Sequence, residues 1–264
     1  MDPFHTAMAA AGVFALWERE THDLTPETPR SWPWRTMEPL IDAAIGQTTM
    51  TTAERSVLVL SDPAIRHGES YGACGNLAVN LQVLMPGERA RPHRHTMHAL
   101  RFVLEGQGVT TVVEGKRCAM NPGDMVLTPG WTWHEHVHEG AGRTIWVDAL
   151  DVPIHRYLKT GVFEPGPAHD VATLPPDTAF GAAGFTPAGT TATPYSPMFR
   201  YPWEDAVRAL ESITPAADGS RRLRYTNPTT GGRSCRRSTA TLSRSLPLAT
   251  QHHTGSTATA SASS

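Results

Sequence analysis

The 264-residue chain carries 23 basic against 25 acidic residues, a formal net charge of -2, with 39% apolar and 18% charged residues. That length supports one or two domains around a sizeable core, and the balance excludes a strongly basic nucleic-acid surface and a disordered polyelectrolyte. No apolar run approaches the roughly 20 residues that span a bilayer, and Met1 to Gly12 lacks the cationic and apolar blocks of a signal peptide, so the chain reads as cytoplasmic, with neither nucleic acid nor membrane as a partner.

In chain order, residues 1–75 read as a helical or irregular extension. Phe14, Leu16 and Trp17 suggest a short helix that Pro26, Pro29 and Pro33 break, and Glu38 to Ile45 suggests another. Over 76–155 the texture changes to short Val-, Leu-, Thr- and aromatic-rich runs: Leu77 to Leu84, Ala99 to Leu104, Val109 to Val113, Met125 to Leu127, Thr132 to Val137 and Thr144 to Leu150. Turn signals close them at Pro86-Gly87, Gly106 to Gly108, Glu114-Gly115, Asn121 to Gly123 and Glu139-Gly140. That spacing predicts a mainly β fold, a small antiparallel jelly-roll barrel. Residues 156–232 read as a Pro-, Gly- and Ala-rich linker ending in one helix, Pro202 to Ile213. Residues 233–264 hold four arginines and no acidic residue among Ser, Thr and Ala, and read as a disordered tail. With 21 arginines against two lysines the coding sequence is expected to be GC-rich, and the tail is read as out of frame.

Histidine marks the functional segment: six of the 13 lie between His93 and His138. His93 and His95 stand at i and i+2, a spacing that puts both on one face of a strand. A turn and strand about forty residues on bring His134, His136 and His138, which alternate on one face, so spacing alone leaves open which joins the pair. Three imidazoles suit Zn, Fe, Cu or Ni. His98 breaks the parity of the pair and reads as structural. Cys74, Cys118 and Cys235 are odd in number, far apart, and read as bystanders.

The pattern Gly87-x5-His93-x-His95, then Gly123-x5-Pro129 with a trailing His, resembles the cupin pattern, and its details resemble gentisate 1,2-dioxygenase. The residues that carry the resemblance are Pro92 to Gly108, Pro129-x-Trp-x-Trp-His-x-His136, Ser196-Pro-Met-Phe-x-Tyr-Pro-Trp203 and Arg224 to Gly232. It implies a cupin barrel with His93, His95 and His134 as metal ligands and Fe(II) as the metal. Ala99 and Leu100 stand where many cupins add a glutamate ligand, which leaves the set all histidine. The implied reaction opens the ring of gentisate with O2, between the carboxyl-bearing and adjacent hydroxyl-bearing carbons, to give maleylpyruvate. Salicylate and 1-hydroxy-2-naphthoate are the alternative substrates; an inactive truncated metal-binding remnant and a zinc hydrolase or isomerase are the alternative functions.

The resemblance also lends roles to neighbours of the metal. Arg101 would hold the substrate carboxylate or a developing negative oxygen, His136 and Asp148 would orient a hydroxyl or move a proton, and Gln82 would be a neutral hydrogen-bonding wall. Arg55 matches a family carboxylate-binding arginine, whereas Ser56 stands where a second arginine is expected. Trp131 and Trp133 read as packing residues that can wall the pocket. The implied assembly is a homotetramer of two-barrel chains, and a second barrel missing after residue 232 would disturb it.

Overall fold

The structure, a computed structural model, describes residues 2–11, 29–47, 56–62, 72–182, 185–235, 239–245 and 257–263. It divides into two units, Met1–Arg30 and Ser31–Ser264. In the first, α1 (Pro3–Ala11) places Pro at its start, where the missing N–H is no loss, and Asp2 Oδ1 accepts from the Phe4 N–H at 3.2 Å. The helix expected around Phe14 to Trp17 lies outside the described residues.

The second unit is built on two antiparallel sheets. Its strands are β1 (Ser56–Leu60), β2 (Ala78–Leu84), β3 (Arg89–His95), β4 (Ala99–Glu105), β5 (Val109–Val113), β6 (Lys116–Met120), β7 (Met125–Thr128), β8 (His134–His138), β9 (Thr144–Leu150), β10 (Phe163–Pro165) and β11 (Arg200–Tyr201). One sheet runs β1-β2-β9-β4-β7-β11, the other β10-β3-β8-β5-β6. Glu114 and Gly115, with φ of 46° and 75°, make the β5–β6 turn, the handedness that matches strand twist.

The sheets pack face to face. Inward residues Leu84, Val103, Val126 and Trp146 of the first meet Val109, Val113, Cys118 and Met120 of the second in one apolar cluster. That cluster closes one end of the barrel; polar residues line the rest of its interior.

Helices cover the other face of the first sheet. In α2 (Trp34–Gln47), Met37, Ile41 and Ile45 recur every fourth residue and pack on Leu81, Val83 and Ile145. This helix starts about one turn before the expected Glu38 because Pro33 supplies the carbonyl for its first turn, Thr36 N to Pro33 O being 2.9 Å. Following α3 (Val152–Leu158), α4 (Trp203–Ser212) seats Ala206 and Leu210 against Leu100, Met125 and Leu127.

The barrel takes strands from outside 76–155: β1 pairs with β2, β10 with β3 and β11 with β7. The linker is tied down by two buried or half-buried carboxylates. Asp177 accepts from Lys116 Nζ at 2.7 Å and the Arg200 N–H at 2.7 Å, and Asp124 from Arg200 Nε and the Trp203 N–H, both at 2.8 Å. Within the tail expected to be disordered, β13 (Thr239–Ser245) and β14 (Thr257–Ser263) pair with each other, and β13 with β12 (Arg221–Arg224). Their threonines favour extended backbone, which a compositional argument about low apolar content overlooks. Among the described residues no helix is long and apolar enough to cross a membrane.

Candidate metal centre

His93 and His95 leave β3 on the same side, as their spacing predicts, and the register sets His93 opposite His134 at the start of β8. One ligand-capable atom from each of the three lies within 4.8 Å of the others, and all three side chains are buried. Their ring centroids are 4.3 Å (His93–His134), 4.8 Å (His95–His134) and 5.7 Å (His93–His95) apart.

The backbone selects the tautomer. Each Nδ1 lies against a carbonyl two residues away: His93 on Arg91 O at 2.8 Å, His95 on Met97 O at 2.9 Å and His134 on Thr132 O at 3.0 Å. Donation from Nδ1–H places the lone pair on Nε2, the form that binds a metal. Nε2 of His134 is buried without a hydrogen-bond partner among the described residues. Burial, aided by the Arg101 charge and the neighbouring imidazoles, holds His134 well below its usual range, so it stays neutral. Ala99 and Leu100 are buried strand residues. The donor set therefore fits a divalent cation and leaves it uncompensated by any carboxylate from those positions.

The loop before β8 is locked against β3. The Trp131 N–H donates to His95 O at 2.6 Å and Thr132 Oγ1 to Pro129 O at 2.6 Å. A Cβ on Gly130 would come to 2.4 Å from Thr96 O, which requires glycine there. Trp131 itself has φ +64°, an unusual conformation for a bulky residue.

His136 and His138 separate clearly from His134. His136, fully buried, lies with Nδ1 2.8 Å from Thr111 Oγ1, whose hydroxyl donates to Met120 Sδ at 2.9 Å and therefore accepts from the ring. His138 accepts the Gly140 N–H on Nδ1 at 3.0 Å and donates from Nε2 to Gly142 O at 2.6 Å, a structural role. His98 accepts the Gly130 N–H at 3.0 Å, again structural.

Across the barrel, register puts Arg101 and Asn80 opposite Asp148, and Gln82 opposite Trp146, so all five share the inner face. Arg101 Nε and Asp148 Oδ1 form an ion pair at 2.9 Å with both groups almost wholly buried. Arg101 Nη1 also donates to Thr128 Oγ1, and Trp146 Nε1 donates to Asp148 Oδ2 at 3.1 Å. Gln82 is 1% exposed, and its Nε2 has no hydrogen-bond partner among the described residues. The His136 and Trp146 rings, 5.3 Å apart, join the two inner faces. Arg55 lies outside the described residues, and Ser56 begins β1.

Trp131 and Trp133 do not wall the interior: both rings stack on the Arg94 guanidinium, at 4.6 and 4.7 Å, and Arg94 is also bonded to Glu164 of β10 at 2.7 Å. Sequence reasoning missed this clamp, as well as Thr128, Asn80 and Phe163, whose ring stacks on His93 at 5.3 Å. The signal for Arg94 was strand parity, since a residue between two inward histidines points outward. Burial raises the Cys118 thiol from 9.0 to about 12, with the Asp177 charge adding to it, so Cys118 is inert as the sequence implied.

Comparison with known proteins agrees with this architecture. The Cupin domain family matches residues 80–150. The chain is 38% identical over 215 residues to gentisate 1,2-dioxygenase of Ralstonia sp, covering 77% of this chain and 58% of that protein. It is 34% identical over 248 residues to 5-aminosalicylate 1,2-dioxygenase of Comamonas sp, covering 88% and 66%. The crystal structure of salicylate 1,2-dioxygenase from Pseudaminobacter salicylatoxidans superposes with a TM-score of 0.81 at 32% identity, covering 91% of this chain and 74% of that one. The chain thus spans somewhat more than half the length of the Ralstonia relative. Fold, histidine cluster and likeness along most of the chain converge: it belongs to the gentisate 1,2-dioxygenase family of cupin ring-cleaving dioxygenases.

Proposed function

We propose that His93, His95 and His134 hold Fe(II) and that the protein cleaves the ring of gentisate with O2 to maleylpyruvate. The observation that carries the reading is a buried three-imidazole set facing an inner wall of Arg101, Asp148, Gln82 and His136. When bound, the iron would supply two positive charges for an anionic carboxylate–phenolate chelate and a path for electron density from the ring to oxygen.

The chain's own residues do the rest. The Arg101 charge is already matched by Asp148, so this pair orients more than it neutralises: with Nε ion-paired to Asp148 and Nη1 donating to Thr128, the guanidinium fork is held in one orientation from which to receive the substrate carboxylate. His136, with its proton on Nδ1 toward Thr111, presents the Nε2 lone pair to accept a hydrogen bond from a ring hydroxyl and align it. Gln82 Nε2 offers a donor to a substrate oxygen. Trp146, Val103 and Val126 close the far end of the barrel against water. Both oxygen atoms enter the product as the ring bond between the carboxyl-bearing and hydroxyl-bearing carbons breaks.

The test is O2 uptake by the purified chain, reconstituted anaerobically with Fe(II), on addition of gentisate. Uptake abolished by His93→Ala supports the reading; no uptake with one iron bound per chain refutes it. Salicylate and 1-hydroxy-2-naphthoate, run in parallel, test the substrate.

A further inference from the structure

Two amide atoms inside the barrel, Gln82 Nε2 and Asn80 Oδ1, have no hydrogen-bond partner among the described residues, and both are buried. They belong to consecutive inward positions of β2, about 7 Å apart along the strand, the order of the distance between substituents on opposite sides of a benzene ring. A buried amide left unsatisfied costs on the order of 1–3 kcal/mol, so such atoms are expected to find partners in whatever fills the site.

The register fixes where Asn80 lies. Three layers of inward residues follow one another along the barrel: Leu84 pairs with Thr144, whose Oγ1 is 3.3 Å from His138 Nε2; Gln82 pairs with Trp146, which touches His136; Asn80 pairs with Asp148, the partner of Arg101. The alternation of β8 puts His134 next after His136, on the side of Asn80. On its other side Asn80 is opposite Val59 of the edge strand β1, which is 38% exposed.

We propose that Asn80 is a specificity-determining residue that accepts a hydrogen bond from a second donor on the substrate ring, a hydroxyl or amino group remote from the carboxylate and its neighbouring hydroxyl. This rests on the ring-cleaving reading above and deepens it. Asn80 Oδ1 supplies an acceptor and Gln82 Nε2 a donor, so the wall of β2 complements a ring with an acceptor at one side and a donor at the other. Gentisate and 5-aminosalicylate meet that requirement; salicylate and 1-hydroxy-2-naphthoate, without the second donor, leave Asn80 unsatisfied. Discrimination of this kind arises because the rejected ligand strands a buried polar group.

The experiment measures anaerobic binding of gentisate, 5-aminosalicylate and salicylate to the iron-loaded chain by quenching of tryptophan emission, for the wild type, Asn80→Leu and Asn80→Ser. The wild type should bind the two donor-bearing acids about tenfold or more tightly relative to salicylate. Asn80→Leu, similar in size but apolar, should bring that ratio close to one, and Asn80→Ser should keep part of it; Asn80→Ala gives the same readout if leucine prevents folding. An unchanged ratio in the leucine and alanine variants, or a wild-type ratio near one, overturns the inference. A preserved binding preference without O2 uptake overturns the assignment of function and leaves the inference standing.

Discussion

The buried Arg101–Asp148 pair invites a quantitative test. Arg101 is 1% and Asp148 4% exposed, their contact is 2.9 Å, and Trp146 Nε1 is bonded to the second carboxylate oxygen. Asp148→Asn keeps the volume and one acceptor oxygen, and removes the charge. It leaves a buried guanidinium without its counter-ion and sets an amide NH2 against an N–H donor, so the expected loss is about 3–5 kcal/mol. Against a typical total of roughly 5–15 kcal/mol that is a large fraction of the stability. Arg101→Met combined with Asp148→Leu removes both charges and should recover most of the loss, because the desolvation cost disappears with them. Urea unfolding of wild type, Arg101→Met, Asp148→Leu and the double variant gives a coupling energy, expected at about 2 kcal/mol or more. The double variant should be stable yet lose O2 uptake with gentisate. A loss below about 1 kcal/mol for Asp148→Asn, the range of exposed pairs, would refute the view that this pair sits in a water-excluded interior.

The Arg94 clamp should act on the metal from outside the barrel: Arg94→Met is expected to weaken iron retention about tenfold or more in a chelator competition, Arg94→Lys less, and equal retention in all three proteins would show that the clamp does not position His93 and His95. Gly123→Ala, at φ +86° and with a Cβ only 2.5 Å from the Trp203 ring, should displace that tryptophan and lower stability by about 2 kcal/mol or more, read from a shift in tryptophan emission and in the unfolding midpoint. The Cys118 thiol ionises at 9.0 ordinarily and at about 12 in the fold, so above pH 9 the unfolded chain loses a proton that the native chain keeps; stability is fully present below pH 9 and falls as pH rises toward 12, which urea midpoints across that range should show. At pH 8 a thiol reagent should label the partly exposed Cys74 and spare Cys118.

Much of the site was legible because it depends on local periodicity. A period of two puts His93 and His95 on one face of β3, and the same period along β8 makes His134, His136 and His138 equivalent. The choice among them lay beyond the sequence because it rests on register and loop geometry. His134 is opposite His93 across β3 and β8, whereas His138 is committed to the Gly140–Gly142 turn and His136 to Thr111. Of the strands, six apolar runs are β2, β4, β5, β7, β8 and β9. β6, β10 and β11 were missed because they lie at sheet edges, where pairing with a neighbour stabilises them more than their own composition; β1, Ser-Val-Leu-Val-Leu, is also an edge strand but has strand composition of its own.

What the sequence by itself determined is the barrel's alternation of inward and outward residues, its turns, the paired histidines of β3 and the family resemblance, since each is carried by residues close together in the chain. What only the tertiary structure decided is whatever joins distant segments: the Arg101–Asp148 pair, Trp131 and Trp133 turned outward onto Arg94, the linker carboxylates fastened to the barrel, and Asn80 placed in the layer of Asp148. The physical reason is that a strand's own period says which residues share a face, while the pairing of strands and the meeting of two sheets say which residues on that face touch.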